Sequence, residues 1–220
     1  MERCEVNTVT VYSDYVCPFC LLAEQVLSKA IKGRDVPNSW RISWRAFELR
    51  PEPVPTLRPE DPYLPAIWKA AVYPQAERLG VPIRLPSISP QPRTGKAFEL
   101  MALAQDRGAD HAYSMEVLRA FFQDNRDIGD PDVLVELAGK AGLDPAEARR
   151  ALDSGAYAER HREALRHARE DMEITSVPTI VVGDRVFRGT PPMDELVQAL
   201  DALEAGTGTP DRSSQAELPL

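Results

Sequence analysis

A chain of 220 residues with 43% hydrophobic content can bury the core of one large domain, or of a smaller domain carrying an insertion. Its formal net charge of −8, with basic residues scattered along the chain, lacks the basic stripe of a nucleic-acid surface and serves solubility. No apolar run approaches bilayer-spanning length, and three cysteines are too few for a disulfide framework.

The polar start, Met1 to Asn7, has no apolar signal region and runs straight into strand-like text, so a cytoplasmic location is expected. Thr8 to Tyr15, rich in β-branched and aromatic residues, reads as a strand. Cys17-Pro18-Phe19-Cys20 follows, and Leu21 to Ile31 reads as a helix. A Cys-x-x-Cys pair at a strand-to-helix junction is foremost a redox motif. With Cys17 as the helix cap, Pro18 occupies the first helical position, where a missing N–H costs nothing. The Cys17 sulfur then faces unsatisfied backbone N–H groups and the positive end of the helix dipole, which favour the nucleophilic thiolate. Cys20, one turn further on, is placed to attack a mixed disulfide formed at Cys17. The competing readings are a buried structural pair and half a zinc site. Zinc usually takes four Cys or His ligands, whereas only Cys4 remains and no histidine is near, so no metal is expected. Cys4 itself reads as a bystander thiol.

Leu22, Val26 and Ala30 mark the apolar side of this first helix, Glu24, Gln25, Ser28 and Lys29 its wet face, and Gly33 its stop. Trp40, Ile42, Trp44 and Ala46 alternate with Arg41, Ser43 and Arg45, the pattern of a half-buried strand. Strand, helix, strand implies a right-handed parallel βαβ unit. Prolines crowd the stretch from Leu49 to Pro92, which reads as a long loop with short helices between Tyr63 and Leu79. Tyr63, Ile67, Trp68 and Tyr73 either wall a substrate groove or simply pack. Apolar stripes beginning at Ala97 and Met115, caps at Asp130-Pro131 and Asp144-Pro145, and a polar helix from about Ala156 to Met172 make five helices. His161 and His167 are six apart on the last of these, do not share a face, and read as solvated. Thr179 to Val182 and Arg185 to Arg188 flank Gly183-Asp184, a two-residue hairpin signal, and Pro191-Pro192 leads a final helix.

The order βαβ, helices, ββα, with Cys-x-x-Cys opening the first helix, resembles the thioredoxin superfamily, and the all-helical insertion its DsbA-like branch. Tyr12 to Cys20 is similar to the opening of FrnE-type cytosolic members, which share much of their fold with 2-hydroxychromene-2-carboxylate isomerases. Ser176-Val177-Pro178-Thr179 matches the position of the superfamily's cis-proline loop, and Pro92-Arg93-Thr94 and Phe187 to Pro192 resemble further family segments. Pro18-Phe19 stands where many such relatives have Pro-Trp, and Gly189-Thr190 where they often have Gly-Ala.

The resemblance implies an α/β, thioredoxin-like fold (βαβ…ββα) with an all-helical insertion. Residues 1–60 would form its first part, 61–172 the insertion, 173–204 its second part, and 205–220 a flexible tail. It implies a cytoplasmic thiol–disulfide oxidoreductase for protein or small-molecule disulfides. In it Cys17 attacks, Cys20 resolves, Pro178 and the Val177 backbone position the substrate, and Pro18 and Phe19 shape the site. No cofactor is expected beyond the cysteine pair; a thiol reductant or glutathione is the expected co-substrate. The alternatives are a glutathione-dependent isomerase or transferase, whose relatives commonly use serine in place of the pair, and a non-catalytic peptide-binding protein.

Overall fold

The computed structural model describes residues 7–34 and 40–206, so Cys4 and most of the expected tail lie outside the described residues. Strand β1 (Asn7–Ser13) pairs in parallel with β2 (Trp40–Ala46) and antiparallel with β3 (Thr179–Val182). β3 in turn pairs antiparallel with β4 (Arg185–Arg188), giving the order β2-β1-β3-β4. Helix α1 (Pro18–Lys32) follows β1 and precedes β2, as a parallel crossover requires. This is a thioredoxin-like α/β sheet with its helical residues concentrated between β2 and β3.

Alternation along each strand sorts the residues by face. Val9, Val11, Trp44, Ala46, Ile180 and Val182 join Leu21 and Leu22 of α1 and Leu196 and Leu200 of α9 (Met193–Glu204) in one large core. On the opposite face Tyr12, Phe47 and Val181 form a second, smaller cluster with Ala168 and Ile174.

Between the sheet's two halves run α2 (Tyr63–Ile67), a π-helical turn (Trp68–Val72) and α3 (Tyr73–Leu79). Then come α4 (Gly95–Asp106), α5 (Asp110–Phe122), α6 (Pro131–Lys140) and α7 (Pro145–Ser154). Last is α8 (Ala158–Arg166) with a π-helical turn (His167–Asp171). Their apolar residues, including Phe98, Leu118, Phe121 and Leu137, are continuous with the sheet core. The proline-rich loop is pinned where the Arg93 guanidinium donates to the Arg50 and Val54 carbonyls at 2.9 and 3.1 Å.

The caps form as their side-chain chemistry requires. Asp130 Oδ1 accepts the Asp132 N–H at 2.8 Å and Asp144 Oδ1 the Ala146 N–H at 2.9 Å, each with proline at the first helical position. Asp130→Ala is expected to cost about 1 kcal/mol, read as a lowered urea midpoint; an unchanged midpoint contradicts it.

Two residues lie differently from the expectation. Glu24 is buried, because α5 covers that flank of α1. Its carboxylate accepts from Ser28 Oγ and from Gln25 Nε2, and His111 Nε2 of α5 stands 3.6 Å away. His161 is buried rather than solvated, because it has a carboxylate partner distant in sequence, described below. Of the two readings open to Trp68, packing is the one the fold takes: it is core, its ring centroid 5.3 Å from that of Tyr73 and 5.9 Å from that of Phe122.

Candidate active site

Parallel pairing of β1 with β2 and antiparallel pairing with β3 bring three chain segments to one end of the sheet. Tyr12 pairs with Thr179 and Ser13 with Ala46. The residues just after β1, just after β2 and just before β3 therefore meet there. Cys17 lies in the first segment and Val177-Pro178 in the last.

Cys17 is the N-cap of α1 in extended conformation, with Pro18 first in the helix and no acidic residue in the first turn. Its N–H donates to the Asp14 carbonyl at 3.1 Å, closing the turn out of β1, and its own carbonyl accepts the Cys20 N–H at 3.1 Å. The Cys17 thiol donates to the Val177 carbonyl at 3.5 Å. The Val177–Pro178 bond is cis, as are Glu52–Pro53 and Ser89–Pro90. Pro178 O accepts the Gly189 N–H at 2.8 Å, which ties the loop before β3 to the one after β4; Gly189 has φ +81°, a conformation that suits glycine. Val16, Phe19 and Val177 lie partly buried against the large core of which Cys17 is a member.

The two cysteines differ. Both are free thiols; Cys17 keeps 5% of its surface exposed and Cys20 1%. Burial pushes the Cys20 thiol well above its ordinary range, and the adjoining Cys17 sulfur adds to this, while the Ser13 hydroxyl and the Asp14 N–H oppose it. Cys20 is thus a proton-holding thiol behind a partly accessible one.

Beneath the turn lies a buried polar cluster that sequence patterning does not reveal. Asp14, Glu48, Thr94 and His161 are all buried. One Asp14 carboxylate oxygen accepts the Leu49 N–H at 2.7 Å, and the other is unpartnered among the described residues. Burial raises the Asp14 pKa to about 6; the Leu49 N–H and the Thr94 side chain oppose the rise, the Glu48 charge adds to it, and the Val16 N–H opposes it. Glu48 Oε1 lies 2.6 Å from His161 Nε2, whose ring stacks on Phe98 at 5.4 Å between centroids. Phe98 stacks in turn on Tyr15, two residues before Cys17, at 4.7 Å. The one local signal is that Asp14 is the single charged residue between Asn7 and Glu24.

The model of the DSBA-like thioredoxin domain matches residues 8–201 of the chain. The chain belongs to the DsbA-like family. It is 43% identical over 193 residues to the YwbO protein of Bacillus subtilis, covering 87% of this chain and 94% of that protein. Among solved structures, a probable DsbA oxidoreductase from Streptomyces coelicolor is similar at 27% identity and a TM-score of 0.75, over 94% of this chain and 93% of the other. A 2-hydroxychromene-2-carboxylate isomerase shares the fold at 20% identity and a TM-score of 0.71, over 92% and 100% of the two chains. The residues gathered at the sheet end, from Tyr12 to Cys20 and from Val177 to Gly189, fall within the matched DsbA-like span. No helix among the described residues is long and apolar enough to cross a membrane.

Proposed function

We propose that this DsbA-like chain is a thiol–disulfide oxidoreductase that uses the Cys17–Cys20 dithiol on protein or small-molecule disulfides. The observation that carries the reading is the Cys17 sulfur, at the start of α1, 3.5 Å from the Val177 carbonyl beside Pro178, with Cys20 buried one turn behind. The Cys17 thiolate attacks one substrate sulfur, forms a mixed disulfide and expels the other as a thiolate, which takes up a proton. Cys20 then loses its proton and attacks Cys17 Sγ. The Cys17–Cys20 disulfide forms and the second substrate thiol leaves. Two electrons have passed from the dithiol to the substrate, and a thiol reductant, for which glutathione has the right chemistry, returns them.

Val177 and Pro178 position the substrate in this scheme. An extended segment crossing the site pairs with the Val177 backbone, and proline, lacking an N–H, offers no competing donor. Pro18 holds the first turn of α1 in helical form, and Phe19, partly buried against the core that Cys17 joins, is the apolar residue between the two cysteines that shapes the site. A cytoplasmic setting matches this assignment, since a reducing compartment keeps such a pair transient and catalytic.

Reduction of insulin by dithiothreitol tests the proposal. The full chain is expected to bring forward and steepen the onset of insulin turbidity. A time course superimposable on the uncatalysed one removes the oxidoreductase reading, and tight glutathione binding in that protein would favour the isomerase class instead.

A further inference from the structure

On the sheet face turned away from the large core, β2 presents Arg41, Ser43 and Arg45 in alternate positions, opposite Thr8, Thr10 and Tyr12 of β1. The smaller apolar cluster covers this face at Tyr12 and Phe47 and, on β3, at Val181. The rest opens into a cavity of about 310 Å³ lined by Thr8, Arg41, Ser43, Arg45, Gln105 and Arg160. Three arginines line this one cavity on a chain whose formal net charge is −8.

The three are not equivalent. Arg160 is held in place: Nη1 meets Asp106 Oδ1 at 2.5 Å, Nη2 donates to Gln105 Oε1 at 3.2 Å, and Tyr157, on whose ring the guanidinium lies at 5.9 Å, donates to Asp106 Oδ2 at 3.0 Å. Gln105 is itself anchored through Nε2 to the Trp44 carbonyl at 2.9 Å, so this wall is fixed to the strand. Asp106 compensates the charge of Arg160. The Arg41 and Arg45 side chains have no carboxylate or hydrogen-bond partner among the described residues, which sets two guanidinium charges without a described counter-charge beside Ser43. Guanidinium groups bind tetrahedral oxyanions through paired N–H donors.

We propose that this cavity is a binding site for a phosphate dianion, either free phosphate or the head of a phosphate monoester whose remainder stays in solvent. The charge matches the two arginines without a described counter-charge, and the volume suits a phosphate group better than a whole nucleotide. The site is separate from Cys17, on the other face of the sheet, so its occupancy is independent of the thiol chemistry.

The test is a titration of the full chain with inorganic phosphate and, separately, with methyl phosphate, at neutral pH and low ionic strength. It follows the amide resonances of Thr8, Ser43 and Gln105 and the arginine Nε–H groups. Saturable shifts confined to this face are expected, weakening as salt is added. Saturation by both probes identifies a site open to esters, and saturation by inorganic phosphate alone a site for the free anion. Arg45→Ala is expected to weaken binding about tenfold, and Arg41→Ala with Arg45→Ala to abolish saturation. Arg58→Ala, at an exposed arginine outside the cavity, should change nothing. Lysine at both positions keeps the charge but not the paired donors and should bind with intermediate strength, which guards against a folding artefact. Linear, unsaturating shifts with both probes, or unchanged binding in the double variant, overturn the proposal.

Discussion

Cys17→Ser is expected to reduce insulin turnover to the uncatalysed rate, whereas Cys20→Ser is expected to accumulate a covalent substrate adduct on Cys17, visible as a mass increase that dithiothreitol reverses. The asymmetry follows from the geometry. Cys17 retains some exposure and opens the helix, whereas Cys20 is sealed and its thiol is pushed up by burial and by the adjoining sulfur. A hydroxyl in place of Cys17 cannot cleave a disulfide under these conditions, so the first step disappears. A hydroxyl in place of Cys20 leaves the first step intact and removes the second, so the mixed disulfide persists. The same asymmetry makes Cys17 the thiol of the pair that iodoacetamide modifies first. Insulin reduction by Cys17→Ser above background would end the oxidoreductase assignment and leave the glutathione-linked isomerase as the better reading.

Asp14→Asn is expected to raise stability at neutral pH and to remove a downward slope with rising pH. Burial, with the Glu48 charge adding, raises the Asp14 pKa from 3.8 to about 6 in the folded chain. Between those two values the folded state holds a proton that the unfolded state has released. Stability therefore falls as pH rises through this window, and the cost of the buried anion is fully present above it. A shift of this size corresponds to about 3 kcal/mol. Asparagine keeps an oxygen for the Leu49 N–H and carries no charge. Urea midpoints of the two proteins should lie close at about pH 4 and separate in favour of the variant by about pH 7.5. Parallel profiles across that range would show that Asp14 is not the group responsible.

Local chemistry is the part of this chain that its sequence makes legible. The alternation from Trp40 to Ala46, the Gly183-Asp184 turn, and the Asp130 and Asp144 caps act within a few residues, so each announces itself in a short window. The Cys17–Cys20 pair is legible for the same reason. Glu24 and His161 are misread as solvated because their burial depends on segments that arrive from elsewhere in the chain. The pairing of Glu48 with His161 spans 113 positions and that of Cys17 with Val177 spans 160. No periodicity encodes such pairings, and only family resemblance points to the second. Asp14 shows both limits: its location is plain in the sequence, but the Leu49, Thr94 and Glu48 groups that set its titration come from β2's exit loop and the start of α4.

The outward side of β2 has a bearing on how this chain behaves at high concentration. At Trp44 the Asp110 carboxylate faces the N–H at 3.4 Å, the Gln105 side-chain amide donates to the carbonyl at 2.9 Å, and the indole N–H donates to His111 Nδ1 at 2.9 Å. At this residue side chains from α4 and α5 thus take the place that another strand would occupy. At the other border of the sheet, β4 exposes Arg185 and Arg188, charges that a pairing neighbour would have to accommodate. Pairing of a second molecule onto the sheet is hindered at Trp44 by side-chain hydrogen bonds and opposed at β4 by charge, so added salt should weaken only the second defence.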